Sequence, residues 1–164
     1  MSDWLLEAAR TLEATDFAIA IRMVPWLYPV LETVHLIGIS LLFGSIIALD
    51  LRILGVARTS LPFEAIMRFL VPFAWVGFAC AALSGLTMFI GIASTITQSA
   101  ATPWKFALIG VAGINMLIFH ADKKRQRLTG TALKAPTLPQ KLSALASILL
   151  WLGVIFAGRM IAYV

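Results

Sequence analysis

Cysteine is nearly absent: Cys80 stands alone among 164 residues, which excludes an internal disulfide and removes thiol usage as a guide to redox compartment. Charge is also scarce. Asp, Glu, Lys and Arg make up 13% of the chain, about half the share of an ordinary soluble domain, and there are only 8 acidic residues and 2 histidines for acid-base or metal chemistry. The long apolar runs have no polar face recurring every three to four residues, which excludes a water-soluble helical bundle. A disordered chain, a disulfide scaffold and a collagen-like repeat are excluded by composition as well. What the chain does have is apolar surface, with 60% hydrophobic residues and an excess of 13 Lys and Arg over 8 Asp and Glu, a formal charge of +5. The bilayer is its solvent.

Apolar stretches of about 20 residues cross hydrocarbon as helices. The sequence predicts an all-α integral membrane four-helix bundle with spans near 26–54, 69–96, 104–121 and 142–162. The third and fourth are slightly short, so tilt or snorkelling by Lys105, Lys141 and Arg159 is expected to help them across. Ser94 to Thr102, followed by Pro103, is polar and small and is expected to form a loop between the second and third spans.

Residues 1–23 form a separate unit, expected to be an amphipathic interfacial helix. Trp4, Leu5, Ala8 and Leu12 share one stripe opposite Glu7, Arg10 and Glu13. Thr15 or Asp16 suits the cap of a second short helical stretch, and Pro25 and Pro29 suit the entry and first turn of the first span. The opening, with Asp3 and Glu7 and no basic region before an apolar core, is not expected to be a secretory signal. Residues 24–164 are the four-span domain.

The basic residues gather in two connections. Arg52, Arg58 and Arg68 flank the first, while Lys123, Lys124, Arg125, Arg127, Lys134 and Lys141 occupy the other; the segment between the second and third spans has no charge before Lys105. The positive-inside rule puts both basic connections in the cytoplasm and the N and C termini outside, in a bacterial inner membrane. Topology thus accounts for the positive charge, and nucleic acid is excluded as a partner for want of an aromatic-interleaved basic module.

Small residues allow close helix approach in membranes. Ser40, Gly44 and Ala48 in the first span, Gly77, Ala81 and Gly85 in the second, and Gly153 and Ala157 in the fourth are the expected packing stripes. On a helical wheel Tyr28, Leu42 and Ile46 lie within about 20° of His35 and Glu32 about 60° away, whereas the Ser40/Gly44/Ala48 stripe lies on roughly the opposite side. In the third span Ile109, Gly113 and Met116 lie within about 40° of His120.

Ionisable groups inside a bilayer are costly and mark function by default. Glu32 and His35, at i and i+3, are close enough to share a proton or a hydrogen bond. A b-type haem needs one or two imidazoles in an apolar bundle, space for the porphyrin and cations for the propionates. His35 and His120 are the candidate ligands to iron, Glu32 the partner of the His35 imidazole, and Gly113 and Gly85 the residues leaving room. Lys105 on one side, or Arg52 and Arg68 on the other, would meet the propionates. From the expected span ends the two histidines differ in depth by about 7 Å, so Met116 or Met88 is the alternative second ligand. A copper or zinc ion held by His35, His120 and a Met or Glu is a competing chemistry. The single Glu-x-x-His does not suffice for a di-iron centre, which uses two with further glutamates. Proton or solute transfer along Glu32 and His35 lacks a second buried acid or base to continue the path. Asp50 and Arg52 are expected to be a structural pair.

The first span, Glu32-Thr-Val-His35-Leu-Ile-Gly-Ile-Ser-Leu-Leu-Phe-Gly44 closing on Asp50-Leu-Arg52-Ile-Leu-Gly55, resembles an uncharacterised family of small bacterial four-helix membrane proteins. The third span, with Trp104-Lys105, Ala112-Gly113-Ile-Asn115 and Phe119-His120, fits the same family. More remotely, an early His in the first span and a Trp/Lys-led third span ending in His is similar to copper-resistance D-type membrane domains and J-type protoporphyrinogen oxidase. That likeness implies a haem-binding bundle with His35 and Lys105 at the matching positions. Glu32, the Asp50/Arg52 pair and the long lead before the first span depart from the oxidase, so its catalysis is not carried over. The expectation is one haem b between the first and third spans, an electron-transfer or membrane oxidoreductase role, and a membrane or extracytoplasmic redox partner or a homo-oligomer. The rival is a non-enzymatic component that binds a metal ion or packs into a larger membrane complex.

Overall fold

The computed structural model describes residues 3–56, 62–128 and 136–164; Arg58 and Lys134 of the basic connections lie outside them. Seven helices follow one another: α1 (Asp3–Glu13), α2 (Asp16–Met23), α3 (Leu27–Leu54), α4 (Phe63–Gly91), α5 (Ala93–Gln98), α6 (Ala101–Leu128) and α7 (Leu138–Met160). Among the described residues there is no strand. α3, α4, residues Ala101–Ala121 of α6, and α7 are each long and apolar enough to cross a membrane. Their outward faces carry exposed Leu83, Leu86, Leu117, Ile118, Leu149 and Phe156, a surface that only lipid covers without penalty.

The helix ends differ from the hydropathy reading for local reasons. α4 begins at Phe63 and includes Glu64 and Arg68, because charged residues are compatible with a helix end that has left the hydrocarbon. It ends at Gly91, and the expected loop is instead the short α5 followed by the start of α6. Pro103 falls in the first turn of α6, where proline loses no helical hydrogen bond. α7 begins at Leu138, ahead of its first long apolar run: the Gln140 side chain accepts from the Thr137 backbone N–H at 3.0 Å, half of a capping box whose Thr-x-x-Gln spacing is legible in the sequence. α3 ends as Gly55 turns left-handed, with φ 81°, a conformation natural to glycine.

Residues 3–23 fold as two helices docked on the α4–α5 junction. Thr15 caps α2, its hydroxyl accepting from Ala18 N–H at 3.3 Å. Ile21, 1% exposed, sits against Gly91, where a Cβ would come within 2.9 Å of its Cγ2. Arg22 donates to the Gly91 carbonyl at 2.7 Å and to the Glu13 carbonyl at 2.8 Å. The Glu13 carboxylate accepts from both the N–H and the hydroxyl of Ser94. These contacts satisfy backbone groups freed where α4 breaks off, while Trp4, Phe17 and Met23 stay exposed.

The bundle is two helix pairs joined along one seam. α3 packs most extensively on α4, α6 on α7, and α3 on α7 links the pairs. Among the described residues α6 packs backbone to backbone on neither α3 nor α4; Phe89 and Phe106 meet edge-on at 6.5 Å across the α4–α6 gap. The α3–α4 contact is a glycine contact. A Cβ on Gly38 would lie 2.6 Å from Ala81 N, and one on Gly77 would lie 2.5 Å from Leu42 N. The stripe Gly77, Ala81 and Gly85 therefore packs as expected, but Ser40, Gly44 and Ala48 do not face it. Gly44 has nothing within 4 Å of a Cβ position, and the buried face of α3 is Gly38, Leu42, Ser45 and Leu49. Close packing and polar groups use neighbouring faces of α3, not opposite ones.

Gly38→Leu or Gly77→Leu should prise α3 from α4, at an overpacking cost of about 1–3 kcal/mol or more, whereas Gly44→Leu should stay within about 0.5 kcal/mol of the parent. Thermal unfolding in one detergent, followed by tryptophan fluorescence, distinguishes them; equal melting of all three variants would refute the glycine contact.

Candidate functional site

Two polar centres lie inside the bundle, at opposite ends. The first is at the end where α5 lies. His35, on α3, is half-buried against α4, and a Cβ on Gly85 would come within 2.8 Å of its Cε1 and 3.1 Å of its Nδ1. Gly85 therefore makes room for the imidazole itself. The His35 Nδ1 lies 3.1 Å from the Ser84 hydroxyl oxygen. Ser84 donates its single hydroxyl proton to the Cys80 carbonyl, so the bond to His35 requires Nδ1–H as donor and Ser84 as acceptor. The imidazole also lies within hydrogen-bond reach of the Ala81 backbone; with the proton on Nδ1, Nε2 keeps the lone pair. The bond expected from Glu32 is made by Ser84 instead, and Glu32 is exposed. Lys105, in the second turn of α6, is half-buried, with its Nζ and Cε each 3.5 Å from the Cβ position of Gly158 on α7. It lies within electrostatic range of His35 and makes no hydrogen bond or ion pair among the described residues.

The second centre is a cavity of about 270 Å³ at the basic end, walled by all four spanning helices. His120, Met116 and Gly113 of α6 line it. The His120 Nδ1 lies 2.9 Å from the Met116 carbonyl oxygen, and a Cβ on Gly113 would meet nothing within 4 Å, so Gly113 does leave open space. Leu42 and Ile46 of α3 also line this cavity; they share the wheel sector of His35, about two and three turns further along. Asn115 and Ser143 hold α6 to α7 across the wall by reciprocal bonds, Asn115 Nδ2 to the Ser143 carbonyl at 3.0 Å and Ser143 Oγ to Asn115 Oδ1 at 2.9 Å.

Asp50 belongs to this second centre. It is 7% exposed, lines the cavity, and receives a hydrogen bond from Ser147 of α7, while its Oδ2 has no partner. Arg52, expected as its structural partner, stands two residues on, a spacing at which side chains leave a helix on nearly opposite sides. The signal that could have found Asp50 is its place inside a long apolar helix; its direction depends on α7, which the local sequence does not specify.

The structure thus groups His35 with Gly85 and Lys105, and His120 with Met116 and Gly113, and it does not bring the two histidines together. Measured along their helices, His35 is about 12 Å from the start of α3 and His120 about 28 Å from the start of α6, which place them at clearly different depths. The greater separation than expected arises because α6 starts at Ala101. Among the described residues no three His, Cys, Asp or Glu side chains gather as an ion site.

The fold and the two centres define a small multi-pass helical membrane protein with polar groups held between its spans. A model of the family of unknown function DUF6644 matches residues 26–164, and the chain belongs to that family. No curated protein and no solved structure matches it. The match begins just before α3, so it takes in both centres and omits α1 and α2.

The Ser84 contact fixes a tautomer that NMR reads directly. In protein labelled with ¹⁵N-histidine, His35 should show a protonated Nδ1 and an unprotonated Nε2, and Ser84→Ala should shift the mixture toward Nε2–H. A wild-type spectrum dominated by Nε2–H would contradict the assignment.

Proposed function

We propose that the protein binds one b-type haem through His35 and serves in electron transfer in a bacterial inner membrane. The observation that carries this reading is the His35 clamp. An imidazole whose Nδ1–H is held by a fixed acceptor, Ser84 at 3.1 Å, presents Nε2 as a ligand in a set orientation, as metal-binding histidines do. Gly85 is the cradle that a Cβ would fill. Haem asks for one such protein ligand because the porphyrin supplies four of its own. A bare copper or zinc ion asks for several protein donors, and no three His, Cys, Asp or Glu side chains gather around His35 among the described residues.

The residues fit the group in charge as well. Lys105 places an unpaired ammonium within reach of the field of His35, suited to a propionate. Bound there, haem would supply one-electron chemistry; the chain orients the ligand through Ser84 and Gly85 and offers cationic neutralisation through Lys105. The remote similarity to copper-resistance D-type domains and J-type protoporphyrinogen oxidase points the same way through His35 and Lys105. His120 and Met116, at the other depth, are assigned no role at this iron. The excess of Lys and Arg at one end orients that end to the cytoplasm and the termini outside, where His35 is near the face open to an extracytoplasmic redox partner.

Expression with haem precursor and visible spectra before and after reduction test the proposal. The wild type, Glu32→Gln and His120→Ala should bind haem, giving reduced-minus-oxidised bands, and His35→Ala should lose at least about nine-tenths of the colour. External imidazole should restore absorbance to His35→Gly. A colourless wild type with no haem by pyridine extraction would defeat the proposal.

A further inference from the structure

The cavity at the basic end is built for something the proposed haem site does not use. We infer that it binds a lipophilic amine in its protonated form, with the ammonium or amidinium N–H groups donated to Asp50 and the apolar body lying among the aromatic side chains. Several polar side chains on the wall are already engaged: Asn115 and Ser143 bond each other, Ser147 donates to Asp50, and the His120 Nδ1 is held by the Met116 carbonyl. Asp50 Oδ2, by contrast, is buried with no hydrogen-bond partner among the described residues, on a side chain 7% exposed.

No Lys or Arg lines the cavity, and His120 is the one lining residue that can carry positive charge. An acceptor in such a place favours a donor carrying positive charge, since charge-assisted hydrogen bonds are the strong ones and gain in a low dielectric. The rest of the wall suits the remainder of the ligand. Trp75, Phe78, Phe119 and Trp151 line it, offering rings to stack a flat apolar body and π faces to a delocalised cation. A volume of about 270 Å³, near the lower limit of small-molecule pockets, suits a ligand of two or three fused rings and not a phospholipid. α4 and α6 do not pack together beside it, which leaves a route from the membrane. The site is at the other end of the bundle from His35, and its occupancy is independent of haem.

The probe is 9-aminoacridine, a flat cation at neutral pH, with acridine as its uncharged near-isostere. Binding to the purified full-length protein is read by equilibrium dialysis in detergent against a detergent-only blank. The cation should bind saturably at one per chain, acridine at least about tenfold more weakly, and Asp50→Asn should lose about tenfold or more of the cation's affinity. Gly113→Leu, which enters open space, should block the cavity and abolish binding without disturbing the fold. Should Asp50→Asn fail to fold, Gly113→Leu and the cation-to-neutral ratio decide. Acridine binding as tightly as the cation would mean a neutral aromatic ligand and would overturn the inference; so would undiminished binding to Gly113→Leu, or no saturable binding at all.

Discussion

The backbone contact between α3 and α4 is the constraint from which the rest of the arrangement follows. Membrane helices gain little from the hydrophobic effect on meeting each other, so they associate where small residues let backbones come close. Gly38 and Gly77 meet that requirement with no space for even a methyl group. The contact sets one antiparallel register along the pair, with Leu42 beside Gly77, Gly38 beside Ala81 and His35 beside Gly85. A shift by one helical turn would take His35 off its glycine and drive the imidazole into a side chain. The tightest packing in the bundle is therefore also what orients its most distinctive polar group.

Because α4 pairs with α3 and α6 with α7, with α3 and α7 as the seam, the bundle is open where α6 would otherwise close on α3 and α4. An evenly packed bundle would fill that space with side chains. Here Gly113 faces it without a Cβ and with nothing near, and the Asn115–Ser143 bonds hold α6 to α7 instead of letting it move across. The cavity is a consequence of which helices the polar contacts tie together.

The four spans were legible because hydropathy registers length, and the Thr15 cap and the Gly77/Ala81/Gly85 stripe because their signals are local. The packing face of α3 was not. Ser40/Gly44/Ala48 has the right spacing, yet Gly38 is the residue that meets α4, and only the position of α4 distinguishes two small-residue faces of one helix. The same limit applies to His35, whose partner Ser84 is 49 residues away while Glu32 is three. Nearness in sequence favoured the wrong hydrogen bond. His120 and Gly113 were recognised as neighbours from the helical wheel, but their depth relative to His35 rested on where α6 begins, and a proline in its first turn concealed that start.

Most polar side chains within the spans are engaged: His35 with Ser84, Asn115 with Ser143, Ser147 with Asp50. Among the described residues, two half-buried or buried groups of opposite sign make no such bond, the Lys105 ammonium near the α5 end and Asp50 Oδ2 near the basic end. They do not serve each other. Their positions along α6 and α3 differ in depth by about 28 Å, a distance at which unit charges attract by only about 0.6 kcal/mol at an effective dielectric of 20. An attraction that weak does not take the place of a counter-charge close at hand. Each needs a counter-group of its own at its own end. The proposed haem propionate beside Lys105 and the inferred amine beside Asp50 would each be such a counter-group, which makes two separate sites a more economical reading of these residues than one site shared between the spans.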